Sequence, residues 1–129
     1  MIQLKKPIKI LLVEDNKINQ KLMMFNFTKM GFEIAISEDG QQAVDECHVN
    51  FYDIILMDVM MPIMDGYQAT EAIRQLQSKT GQRSYIIGLT SNVYDHDKER
   101  CLSVGMDSYM SKPFDIDIFC DILRQQSYL

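Results

Sequence analysis

The feature that most limits what this chain can fold into is the run Ile54-Ile55-Leu56-Met57, four consecutive apolar residues closed by Asp58. A strand with one wet face alternates apolar and polar side chains. An unbroken run instead implies burial on both faces, as in a parallel sheet covered by helices. The Met60-Met61-Pro62 loop and the Asp65-Gly66 turn stop this strand and leave Asp58 at its C-terminal tip. In open parallel sheets that edge is where ligands bind.

The rest of the chain repeats the pattern. Ile8 to Val13 has five apolar residues in six and stops at Glu14-Asp15-Asn16, two carboxylates and a potential helix cap. A helix is predicted next, with Ile18, Leu22 and Phe25 at i, i+4 and i+7 forming its apolar face, Met30 near its end and Gly31 terminating it in a left-handed conformation. Phe32 to Ile36 reads as a second strand, and Asp39-Gly40 turns into a helix carrying Ala43, Val44 and Cys47. After the central strand, Gly66 to Gln77 is a third helix through Ala69, Ala72, Ile73 and Leu76, and polar Ser78 to Ser84 reads as a loop. Tyr85 to Leu89 is a fourth strand ending at Thr90, Asp95 to Val104 a weaker helix, Ser108 to Ser111 a fifth strand, and Asp115 to Gln126 a last amphipathic helix. Strands alternating with helices in this way predict an α/β fold with one parallel sheet helix-covered on both faces.

With 129 residues and 47% hydrophobic content the chain can build one sizeable core. The expected organisation is a leader over 1–7, one domain over 8–126 and a tail over 127–129. A formal charge of -5 argues against direct nucleic-acid binding, which rests on neutralising phosphates. Lys5, Lys6 and Lys9 near the start read as a solvated cluster. Cys47, Cys101 and Cys120 are odd in number and widely spaced, so neither a disulfide framework nor a zinc site is indicated. No apolar run reaches the length of a membrane span, and the opening residues lack a secretory apolar segment, which predicts no membrane insertion and a cytoplasmic location. His48 and His96 read as surface side chains.

Polar side chains collect at the same ends of successive strands: Glu14 and Asp15 after the first, Asp58 after the third, Thr90 after the fourth and Lys112 after the fifth. In a parallel sheet those ends share one edge, so residues far apart in the chain meet in one cleft. Three carboxylates there repel one another, and a hard divalent cation with oxygen ligands relieves the repulsion. Magnesium is expected, with manganese as the alternative. Lys112, held by Pro113, supplies a point charge for Asp58 or for a phosphoryl oxygen.

At these residues the sequence resembles the receiver domain of response regulators. Glu14-Asp15 is similar to the family's acidic pair, Met57-Asp58-Val59-Met60-Met61-Pro62-Ile63-Met64-Asp65-Gly66 to its phosphoacceptor loop, Leu89-Thr90 to its switch hydroxyl strand and Ser111-Lys112-Pro113-Phe114 to its lysine motif. The resemblance implies a flavodoxin-like doubly wound (βα)5 sheet with strand order 2-1-3-4-5. It implies that Asp58 accepts a phosphoryl group from a phosphohistidine on a sensor histidine kinase or histidine phosphotransfer protein. Asp15, Asp58 and the Met60 carbonyl would contact magnesium, Glu14 acting chiefly through water. Thr90 would bond the phosphoryl group and Tyr109 would turn toward the vacated space, so that the fourth helix, fifth strand and fifth helix report the change. A cis Lys112-Pro113 bond is implied as well, and some features suggest the receivers of hybrid sensor kinases. A homodimer through the last helices is left open.

The chain departs from the family's pattern at the residues two beyond Asp58 and Thr90, which are Met60 and Asn92. A thioether cannot orient water as an amide can, so a comparatively long-lived phospho-Asp58 is expected. Met60, Met61 and Ile63 are expected to form an apolar patch for the donor. A metal-dependent phosphatase with an aspartyl nucleophile would need a second acid where Met60 stands, which speaks against turnover. A nucleotide or flavin carrier would need a phosphate loop, and no GxxxxGK[ST] or GxGxxG occurs. A signalling module that catalyses only its own phosphorylation and dephosphorylation is therefore expected, rather than an enzyme.

Overall fold

The computed structural model describes residues 7–91 and 95–129; Asn92, the stretch Met1 to Lys6 and the His96 side chain lie outside the described residues. Strands β1 (Lys9–Val13), β2 (Glu33–Ser37), β3 (Ile54–Asp58), β4 (Tyr85–Thr90) and β5 (Ser108–Ser111) form one sheet in the order β2-β1-β3-β4-β5, every pairing parallel. The helices between and after them are α1 (Lys17–Lys29), α2 (Gly40–Val49), α3 (Gly66–Thr80), α4 (Asp95–Ser103) and α5 (Ile116–Gln125). Along each strand alternate residues enter two separate cores. Ile10, Leu12, Ile54, Leu56, Ile87 and Leu89 pack with α1 and α5, whereas Leu11, Val13, Ile55, Met57 and Ile86 pack with α2, α3 and α4. This is why β3 carries no polar side chain before Asp58. Strand order reverses between β1 and β3, and a crevice opens there at the C-terminal edge.

Helix α1 corrects the sequence-based expectation. Ile18, Leu22 and Phe25 face solvent, 76%, 59% and 64% exposed, while Gln20, Met23 and Phe27 are buried. The cause is the ring cluster at the far end of the helix. Phe27 is fully buried and lies 5.8 Å from Phe32, 5.3 Å from Phe114 and 5.5 Å from Phe119, in tilted and edge-on geometries that suit aromatic quadrupoles. Gly31, at φ 88°, ends the helix as expected.

A second correction concerns α3, which runs to Thr80 where a loop from Ser78 was expected. Gln77 is buried and donates from Nε2 to Ser84 Oγ at 2.7 Å, so the polar last turns have an internal partner. Gly81, at φ 78°, closes the helix in the left-handed region. At its start Asp65 caps Gln68 N at 2.9 Å in a reciprocal capping box. The other elements agree with the expected ones to within a few residues at their ends. No helix among the described residues is long and apolar enough to cross a membrane.

Candidate functional site

The acidic pair leaves β1 already anchored. Glu14 N–H donates to Ser37 O at 3.0 Å, and the Glu14 carbonyl accepts from Gln20 Nε2 at 2.6 Å. Its carboxylate is held at both oxygens: Oε2 accepts from Asn16 N–H at 3.3 Å and Oε1 from Asn19 Nδ2 at 3.2 Å. Asn16 in turn caps α1 by accepting from Asn19 N–H at 3.0 Å. Asp15 is exposed.

Asp58 arrives from the opposite side of the crevice and is 2% exposed. Its Oδ1 accepts from Met60 N–H at 3.1 Å, and its Oδ2 lies 2.8 Å from Lys112 Nζ. Lys112 also stands 3.8 Å from Glu14 Oε1, and its own N–H bonds Thr90 O at 2.8 Å; the following Lys112-Pro113 peptide is cis. The loop after Asp58 closes tightly because Gly66 lacks a side chain. A Cβ there would sit 2.3 Å from the Asp58 carbonyl oxygen, while Gly66 N–H bonds Val59 O at 3.1 Å.

Oxygen atoms of Glu14, Asp15 and Asp58 all lie within 4.8 Å of one another. Three hard oxygen donors at that spacing, with one carboxylate open to solvent, suit a small divalent cation that keeps some of its water. Burial, and then the neighbouring Asp58 carboxyl, push the Glu14 carboxyl up to about 7 despite the opposing pull of Lys112. In the metal-free protein the protonated form of Glu14 therefore favours folding. That contribution is present below the ordinary value of 4.5 and is lost as pH rises through about 7. Glu14→Gln is expected to gain stability relative to wild type as pH rises toward 8 in EDTA, with the difference vanishing near the ordinary carboxylate range. Denaturant titration at several pH values measures this; a difference that does not grow with pH would contradict it.

Thr90 closes β4 and is 3% exposed. Tyr109 lies on the adjacent strand opposite Gly88, half-buried against the α2–α3–α4 core, with Lys98 Nζ from α4 5.4 Å from its ring centroid. The five residues expected at the strand ends thus share one edge, with Tyr109 two register positions back from the Thr90–Ser111 pair. Asn92 lies outside the described residues. Asn19 and Gln20 were not singled out in the sequence; their signal was two amides in the first turns after an acidic strand end. On the loop that follows Asp58, Met60 is 70% and Ile63 84% exposed, and Ile63 adopts φ 70°.

A family model for the response regulator receiver domain matches residues 10–124. The hybrid signal transduction histidine kinase I of Dictyostelium discoideum is 41% identical over 125 residues, which is 93% of this chain and 7% of that protein. The chain therefore spans a small fraction of the curated relatives' length. Among solved structures, the receiver domain of the sensor histidine kinase PA1611 from Pseudomonas aeruginosa PAO1, with a magnesium ion coordinated in its active-site cleft, superposes with a TM-score of 0.80. It is 38% identical, and the match covers 93% of this chain and 97% of that one. The receiver domain of Ssk1 from Saccharomyces cerevisiae, in complex with the histidine phosphotransfer protein Ypd1, gives a TM-score of 0.87 at 26% identity, over 94% of this chain and 89% of that chain.

Proposed function

Because this chain belongs to the response regulator receiver domain family of two-component and phosphorelay systems, we propose that Asp58 is its phosphoacceptor, charged from a phosphohistidine on a sensor histidine kinase or histidine phosphotransfer protein. The observation that carries the reading is the placement of one lysine against the strand-end member of three gathered carboxylates, Lys112 Nζ at 2.8 Å from Asp58 Oδ2. Lys112 orients that aspartate through their ion pair, and it remains beside the phosphoryl oxygens after transfer. An Asp58 oxygen attacks phosphorus in line, the bond to the donor's imidazole nitrogen breaks, and its electron pair stays on that nitrogen. Magnesium, or manganese, held by Asp15, Asp58 and the Met60 carbonyl, with Glu14 acting chiefly through water, would offset the charge gathered in the cleft. Thr90 then bonds a phosphoryl oxygen, and Tyr109 carries the change to the surface of α4, β5 and α5. The domain catalyses only its own phosphorylation and dephosphorylation.

The test is intact mass after incubation with magnesium and acetyl phosphate, and separately with a phosphorylated histidine phosphotransfer protein. One added phosphoryl group, lost when EDTA is present, is the expected result. A chain that gains no such mass from any competent donor would refute the reading.

Donor docking has its own support. A β-branched residue at φ 70° is a strained conformation, costing about 1–3 kcal/mol, and Ile63 holds it while almost fully exposed. Leu22, from the exposed row on α1, shares a cavity of about 400 Å³ with Glu14, Lys112, Pro113 and Phe114, so that row reaches the cleft. Leu22 at the cleft, its exposed neighbours Ile18 and Phe25 on α1, and Ile63 on the loop that follows Asp58 offer apolar surface of the kind an amphipathic helix covers. Ile63→Asp is expected to slow transfer from the phosphohistidine protein roughly tenfold and to leave acetyl phosphate labelling unchanged. Equal slowing with both donors would place its effect elsewhere.

Lifetime follows from Met60. Its thioether can accept only weakly from water, so phospho-Asp58 decays slowly, and Met60→Asn is expected to raise the dephosphorylation rate several-fold. An unchanged decay rate removes this explanation.

A further inference from the structure

We infer that Asn19 is a positioning residue for the cation site, holding the Glu14 carboxylate toward Asp15 and Asp58 and away from Lys112; the inference rests on the magnesium-dependent reading above. Glu14 has two competing sets of neighbours. On one side stand the carboxylates of Asp15 and Asp58, with which it shares the 4.8 Å cluster. On the other stands the Lys112 ammonium, 3.8 Å from Oε1 and short of a close ion pair. A flexible carboxylate in that position is drawn onto the lysine, because an opposite charge at contact outweighs two like charges.

Asn19 opposes that movement. Its Nδ2 donates to the same oxygen, Oε1, that Lys112 faces, at 3.2 Å, while Asn16 N–H engages Oε2 at 3.3 Å. With both oxygens engaged the carboxylate plane has one orientation, and Lys112 is left for Asp58 at 2.8 Å. Gln20, one residue on, fixes the Glu14 backbone through its carbonyl at 2.6 Å, so swinging of the side chain is the freedom that remains. Asn19 thus supports the oxygen arrangement without being a ligand, and such supporting contacts govern metal affinity strongly.

The rotation of α1 that turns Ile18, Leu22 and Phe25 outward also brings Asn19 and Gln20 onto Glu14. Asn19 itself is exposed and lines the same cavity as Lys112 and Pro113, so replacing it removes little packing. A loss of metal affinity without loss of fold is the signature that separates positioning from a structural role.

The experiment is magnesium titration of the full chain, followed by calorimetry or by thermal shift against magnesium concentration, for wild type, Asn19→Leu and Asn19→Gln. Asn19→Leu is expected to bind magnesium about three- to tenfold more weakly, with an unchanged melting temperature in EDTA, and Asn19→Gln to regain part of the loss through its own amide. Acetyl phosphate labelling of Asn19→Leu should be slow at limiting magnesium and reach the wild-type rate at saturation. Wild-type affinity in Asn19→Leu would overturn the inference and leave the proposed function standing. A wild-type protein that binds no magnesium would overturn both.

Discussion

Asp58→Asn is expected to acquire no phosphoryl group from acetyl phosphate or from a phosphohistidine donor under conditions that label the wild type to completion. The two side chains have nearly the same shape, so the Met60 N–H bond and the packing at the tip of β3 can persist. What is lost is the nucleophile: a neutral amide oxygen does not attack phosphorus, whereas a carboxylate does. One of three crowded acids is also removed, so burial of Glu14 becomes less costly and the metal-free protein should melt no lower than wild type. Intact mass and a thermal melt read both consequences. Labelling at the wild-type level would move the acceptor to another group in the cleft, with exposed Asp15 the first to examine.

Phe27→Ala is expected to be the most damaging single truncation, costing about 3–5 kcal/mol of folding free energy. Phe27 is fully buried and touches three other rings, drawn from the residue before β2, from the residue after Pro113 and from α5. Removing it leaves a cavity that rings already packed against one another cannot collapse to fill; Phe32 and Phe119 are 5.9 Å apart, and Phe114 and Phe119 5.6 Å. For a domain of this size such a loss is a large share of total stability, and the melting temperature should fall by roughly 10 °C or more. The site should suffer in proportion, because Phe114 anchors the segment that carries Lys112 and Phe27 sets the rotation of α1. Urea denaturation checks the magnitude, and a loss under about 1 kcal/mol would show that the cluster repacks.

Much of the candidate site was legible because its chemistry sits where the pattern changes. Asp58 ends an apolar run, Glu14 ends another, and Lys112 is followed by a proline; each is a charged residue at the point where a buried strand must stop. A parallel sheet has a single C-terminal edge, so the order of the strands alone places these residues together. Asn19 was not legible in the same way. An amide in a first helical turn has many uses, and only the position of Glu14 shows which one applies.

Helix α1 marks where sequence reading stopped. Two apolar rows occur on it at helical spacing, Ile18, Leu22 and Phe25 on one side and Met23, Phe27 and Met30 on the other, and period alone does not rank them. Taken by itself, the amino-acid order determined that this chain builds a parallel α/β sheet with an acidic cleft at one edge, since continuous apolar runs can be buried in few other ways. The tertiary structure alone decided which row of α1 faces water, that Ile63 is held strained and exposed, and that Glu14 is oriented by amides. Those outcomes depend on rings and backbone groups brought from distant parts of the chain, whose positions local periodicity does not encode.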